Sequence, residues 1–246
     1  MVNMEGYKEL LALMYANEIN FMKLVQPKLS NVDLVKVWWA AINPEQGQSI
    51  SIMDDLSRGN TFGDPTKAWS VDTVKDGVVQ LAGLHACTWG ASKTEGDYAN
   101  LKSAYDQAIM SLTQNWAMID GEGRPPFPES ISDQKRLQAA LQKHLNTRNP
   151  KFQAVTHGDP HLGNTWVNSD GKPRFLDWQT TQVSGVFHDL AYFVLGALSV
   201  EDRRKHEFEI LEHYLEALAQ FGGPKLSAQD EEVLVEYKKN SMSGIG

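Results

Sequence analysis

The chain has 246 residues, 41% of them apolar, and a formal net charge of −8. That is the balance of a globular protein with length for a substantial core, and no Lys/Arg block offers nucleic acid or an anionic membrane an electrostatic footprint. The single cysteine, Cys87, excludes an internal disulfide framework and a Cys-rich zinc site, and its apolar helical surroundings predict a buried, inert thiol.

From Tyr7 to Val25, apolar residues recur at helical spacing, and Pro27 follows the end. Glu5, Lys8 and Glu9 interrupt the start, unlike a signal sequence. Leu34 to Ile42 and Ser49 to Met53 read as an antiparallel strand pair across the loop Asn43 to Gly47. Asp54 to Pro65 is a polar connector and the natural boundary between a small first piece, residues 1–55, and a larger helical body, residues 56–246. Helices are predicted over Val71 to Trp89, Tyr98 to Met118 and Ser132 to Leu145, with the glycine- and proline-bearing loop Asp120 to Pro128 between the last two. Short strands are predicted at Phe152 to Thr156, Thr165 to Asn168 and Arg174 to Leu176. Asp189 to Leu198, Glu201 to Phe221 and Ala228 to Lys239 close the chain as helices, with Gly222-Gly223-Pro224 as a stop. The longest apolar run, Leu190 to Val200, is too short to span a membrane. A cytoplasmic, reducing location is expected.

Chemistry concentrates in His157-Gly158-Asp159-Pro160-His161-Leu162-Gly163-Asn164 and in Leu176-Asp177-Trp178. Asp159 follows a strand-like run and opens a loop that can present a carboxylate at a cleft. A hydroxyl that attacks a phosphoryl group needs such a carboxylate to orient it and take its proton. Asn164 stands at the Asp-x-x-x-x-Asn spacing at which an amide oxygen binds magnesium, and Asp177 ends the next strand, where a carboxylate can bridge magnesium to a triphosphate. A hydrophilic turn would also favour Asp, His and Asn; the ordered set across strand ends favours function. The pair His157 and His161 has the spacing of a zinc helix, but Gly158, Pro160 and Gly163 argue against a helix there. His85, on an apolar helix face, is expected to be a bonded core histidine. Trp38, Trp39, Trp89 and Trp116 are expected in the core rather than in a cation cage.

His157-Gly158-Asp159-x-His161-x-x-Asn164, then Leu176-Asp177-Trp178-Gln179, then His188-Asp189-Leu190-Ala191 closely resemble the aminoglycoside phosphotransferase and choline kinase superfamily. The Asp-Trp-Gln variant looks most like its choline-kinase-like and ecdysteroid-kinase-like branch. Ile52 to Leu56 resembles the hinge strand that receives adenine, Leu81 to Ala86 the helix after it, and Asn17 to Phe21 the helix whose glutamate pairs with a phosphate-binding lysine. The resemblance implies an α+β, protein-kinase-like fold with a mostly helical C-terminal lobe and a shortened N-terminal lobe. It implies Asp159 as catalytic base, with His161 in the same loop facing phosphate or acceptor, and Asn164 and Asp177 as magnesium ligands. Met53, Asp54, Asp55 and Glu18 fall on the nucleotide side. His157 and Asp189 are implied as braces of the loop. The cofactors implied are Mg2+ and ATP, and the substrate a hydroxylated small molecule. Its contacts would come from helices between Gly96 and Leu145 and at the C-terminal end.

Two family parts are not found. No Gly-x-Gly-x-x-Gly occurs, and no lysine strand precedes the Glu18 helix; Arg58 to Gly63 lies after the hinge, and Lys36 is not assigned the lysine's role. Three readings stay open: an ATP-dependent small-molecule kinase, a kinase-fold enzyme doing acid–base chemistry without ATP, and a degenerate kinase-fold binding protein. A sheet without the missing strands has a bare edge, which invites a second copy or a partner chain.

Overall fold

The computed structural model describes residues 4–123 and 128–245. The loop expected over Asp120 to Pro128 therefore falls partly outside the described residues. Helix α1 (Met4–Asn20) widens without a break into a π-helical turn at Phe21–Val25. Such turns insert an extra residue and commonly sit at functional sites. Here the insertion turns Phe21 and Val25 into the core, where neither is exposed. Asn17 fixes the preceding turn to the helical body: its Nδ2 donates to Lys102 O (2.8 Å) and Thr181 O (3.0 Å), and its Oδ1 accepts from Lys102 N (2.8 Å).

Strands β1 (Val37–Asn43) and β2 (Gln48–Met53) form the expected antiparallel pair, with a bulge between Val37 and Trp39. Trp38 and Trp39, expected in the core, are instead 62% and 53% exposed. Ile50 and Ile52 are also about half exposed on this sheet. With only two strands, the sheet cannot bury both faces, and the composition argument fails there.

Helix α2 (Val71–Cys87) starts at Ser70, whose hydroxyl accepts from Thr73 N (3.2 Å). Its Val74, Val78, Leu81, Ala82 and Leu84 fill the main core against α5 (Phe187–Ala197) and α6 (Val200–Gln220). Gly83 allows the close approach of the Asn31 carbonyl, 2.1 Å from where a Cβ would sit. Cys87 is half-buried rather than buried: the helix ends there, and Sγ lies 3.8 Å from Asn31 Nδ2.

Helices α3 (Ala104–Gln114) and α4 (Gln134–Asn146) are shorter than their patterns suggest and pack a second small core of Tyr105, Ile109, Ile119, Leu137 and Leu141. Two antiparallel sheets then frame the site. One pairs β4 (Gln153–Thr156) with β7 (Gln182–Gly185), and the other is ordered β3 (Thr61–Phe62), β5 (Thr165–Val167), β6 (Pro173–Phe175). The short strands β3 and β7 carry too few residues to show a period. Helix α7 (Glu231–Lys239) completes the body. Among the described residues no helix is long and apolar enough to cross a membrane.

Candidate active site

The loop from His157 to Asn164 leaves β4 and is held by one buried carboxylate. Asp189, at the start of α5, accepts from His157 N (2.6 Å) through Oδ2 and from Gly158 N (2.9 Å) through Oδ1. Behind it runs a buried relay in which Tyr214 O–H donates to His85 Nδ1 (2.8 Å) and His85 Nε2 donates to Asp189 Oδ2 (3.1 Å). Burial alone would raise the Asp189 carboxyl, but the opposing effects, led by the hydrogen bond from His85, hold it below the ordinary range. His85 is thus the bonded core histidine its position suggested.

Gly158 has φ +90°, and a Cβ there would lie 2.4 Å from Thr180 O. Only glycine fits this turn. His188 Nε2 donates to Gly158 O (2.7 Å), His157 Nε2 to Leu176 O (3.0 Å), and His157 Nδ1 accepts from Asp159 N (3.2 Å). Burial lowers both His157 and His188, so each stays neutral in one tautomer.

Asp159 emerges half-buried. The Tyr192 phenol, on α5, hydrogen-bonds to it, and burial followed by the Asp159 charge raises the Tyr192 pKa. His161 Nδ1 accepts from Gly163 N (3.0 Å), and its Nε2 lies 3.7 Å from Asp159 Oδ2. His161 therefore caps the turn at Leu162–Asn164 and flanks the carboxylate. Asn164 Nδ2 donates to Asp159 O (3.0 Å), leaving its Oδ1 for another partner.

Asp177 is brought alongside by the β5–β6 hairpin and by Leu176 N donating to Asn164 O (3.0 Å). It is the only non-glycine among the described residues with positive φ (+65°), a conformation that costs energy and collects at functional sites. Burial raises the Asp177 carboxyl, and the Asp159 charge adds to the shift. The neighbouring Trp178 ring stacks on Phe21, with centroids 3.9 Å apart and planes within 5°. This contact docks the Glu18 helix against Asp177. Burial and then the Asp177 charge raise Glu18, whose carboxylate accepts from Trp178 N–H.

Glu18, Met53, Asp54, Asp55 and Asp177 all line one cavity of about 580 Å³ between the β1–β2 sheet and the catalytic loop. Asp159 and His161 do not line it, but both act on the charge of Asp177, which does. Asp54 N donates to Lys36 O (3.0 Å), and its carboxylate accepts from Trp38 Nε1 (2.7 Å). Lys36 turns away, with Nζ 3.5 Å above the Trp38 ring. Among the described residues no lysine or arginine lines the cavity. Gly63 packs the connector on the loop's end, since a Cβ would lie 2.0 Å from Leu162 O.

Among the described residues no cluster of three or more His, Cys, Asp or Glu side chains could hold a metal on its own. The oxygen donors present, Asn164 Oδ1 and the Asp177 carboxylate, still suit magnesium. That ion takes few protein ligands and completes its shell with water and substrate phosphates.

Sequence reasoning missed Asn17 and Tyr192. A signal for Tyr192 was present: it stands three and four residues after Asp189 and His188, on one helix face.

A kinase-like fold, with the Asp159 loop and the strand ending at Asp177 side by side, defines the class: kinase-like phosphotransferases. The ecdysteroid kinase-like family matches residues 90–222, more than half of the chain, and the chain belongs to that family. Its fold is similar to a macrolide 2′-phosphotransferase from Brachybacterium faecium, solved as apoenzyme (TM-score 0.52, 19% identity, covering 93% of this chain and 70% of that one). It is also similar to an aminoglycoside phosphotransferase from Streptomyces rimosus in complex with ADP and streptomycin (TM-score 0.54, 13% identity, 97% and 84% covered). A choline/ethanolamine kinase family protein from Mesorhizobium loti gives a TM-score of 0.50 at 16% identity, with 93% and 68% covered. No curated protein matches the sequence.

Proposed function

We propose that this protein transfers the terminal phosphoryl group of ATP to a hydroxyl of a small metabolite. The observation that carries the reading is the convergence of Asp159, Asn164 and Asp177 around one loop, beside a cavity of about 580 Å³ lined by the hinge residues Met53 to Asp55. The Asp159 carboxylate accepts the acceptor hydroxyl's proton as that oxygen bonds to the terminal phosphorus. The bond from phosphorus to the bridging oxygen breaks, and ADP leaves. Tyr192 and His161 orient the carboxylate from either side. Asn164 and Asp177 would hold magnesium, which when bound neutralises phosphate charge.

One observation favours a second reading, in which Asp159 does acid–base chemistry without nucleotide: no described cationic side chain lines the cavity. Calorimetric titration with ATP, with and without magnesium, decides between them. The phosphotransferase reading expects magnesium-dependent binding that Asp177→Asn removes, and an ATP turnover that Asp159→Asn lowers by roughly a thousandfold. Absent or magnesium-independent binding by the folded protein refutes it.

A further inference from the structure

Arg148, just beyond α4, is a buried cation with two of its three nitrogens unpartnered. Its side chain is 9% exposed, and Nη1 donates to both Asp106 oxygens (2.9 and 2.8 Å). Its Nε and Nη2 are buried without a partner. These two N–H groups share one edge of the guanidinium and form the fork that fits a carboxylate or phosphate. Of the seven partnerless buried side-chain polar atoms among the described residues, two form this fork, and two more belong to Gln182 and to His144, on which the Arg148 charge acts. Gln182 belongs to the same group, because its Nε2 donates to Asp106 Oδ1 (2.9 Å). Scattered packing faults would not gather around one ion pair, and a buried donor left unmade is unfavourable.

Charge points the same way. The exposed Lys93 adds a second cation whose charge acts on the same Asp106–Arg148 pair. The other nearby acid, Glu236, is engaged by Lys239 and by Asn149 N.

The fork connects to the Asp159 loop through Tyr105 and His188. Tyr105, adjacent to Asp106 in the chain, is influenced by both the Asp159 carboxylate and the Arg148 guanidinium. Its ring packs on His188 at 4.3 Å, and His188 holds the Asp159 loop. Tyr105 and His144 sit on α3 and α4, whose small core is separate from the main one.

We propose that the Arg148 fork is an acceptor subsite that binds an acidic group, a carboxylate or a phosphate ester, on the molecule whose hydroxyl reaches Asp159. The assignment to the acceptor rests on the phosphotransferase reading; the anion site itself does not.

The test is an NMR titration of 15N-labelled protein that follows the Arg148 Nε–H resonance, identified by its loss in Arg148→Lys. The probes are inorganic phosphate and, separately, benzoate. A saturable shift with either is expected, and which probe binds more tightly separates phosphate esters from carboxylic acids. The shift persists in Asp177→Asn, which alters only the nucleotide side. Gln182→Glu, which sets a competing carboxylate beside the fork, weakens the same binding about tenfold and keeps the test available should Arg148→Lys not fold. No saturable shift with either anion, or a shift abolished by Asp177→Asn, overturns the proposal. Anion binding without any nucleotide binding would remove the acceptor role.

Discussion

The loop around Asp159 and the sheet across the cavity from it are built to opposite standards. On the loop side, every backbone turn is tied to a buried partner: Asp189 to two amides, His188 to Gly158 O, His157 to Leu176 O. On the sheet side, two strands carry Trp38, Trp39, Ile50 and Ile52 half exposed or more. The contrast shows where this fold spends its rigidity. The loop that carries Asp159 and Asn164 is over-determined, while the helix and sheet across the cavity are joined to the helical body through Phe21 on Trp178 and through Asn17.

Breaking the rigid side has the largest effect. Asp189→Ala leaves two buried amides and a buried histidine without their acceptor and should cost about 4 kcal/mol in urea unfolding. A cost under about 1 kcal/mol would mean the loop is held by something else. Phe21→Ala removes the ring that docks α1 on Trp178, at about 3 kcal/mol in the same assay.

Glu18→Gln sharpens the comparison at the junction. Burial and then Asp177 raise the Glu18 pKa, so the folded state holds this proton to higher pH than the unfolded chain. Its contribution is complete in acid and is lost as pH rises through the raised value. The glutamine variant removes that loss, so its melting temperature at neutral pH should rise by about 2 °C while the difference vanishes in acid. Equal melting points at neutral pH would show that Glu18 and Asp177 do not repel. Trp39→Ser should have the smallest effect, within about 0.5 kcal/mol; a larger loss would show that the sheet face is covered in solution.

The two regions were also unequally legible. Loop and strand order around Asp159 could be read because glycine, proline and the Asp, Asn and Asp set fall at fixed spacings along one stretch. The helix α1 and the β1–β2 pair followed from periodicity. Burial of the tryptophans did not, since a period shows which residues share a face and not whether anything covers it. Asn17, Tyr192 and Arg148 act through partners distant in sequence, at Lys102 and Thr181, Asp159, and Asp106. Such pairings are set by tertiary packing, and only Tyr192, on the helix face of His188 and Asp189, had a local pattern to mark it.

The most direct measurement is electron paramagnetic resonance of Mn2+, standing in for Mg2+, titrated into the protein with ADP. The account predicts a bound ion that needs nucleotide, disappears in Asp177→Asn and weakens in Asn164→Leu. Unchanged binding in both variants, or none in the folded protein, would contradict the assignment of Asn164 and Asp177 to a metal–nucleotide centre.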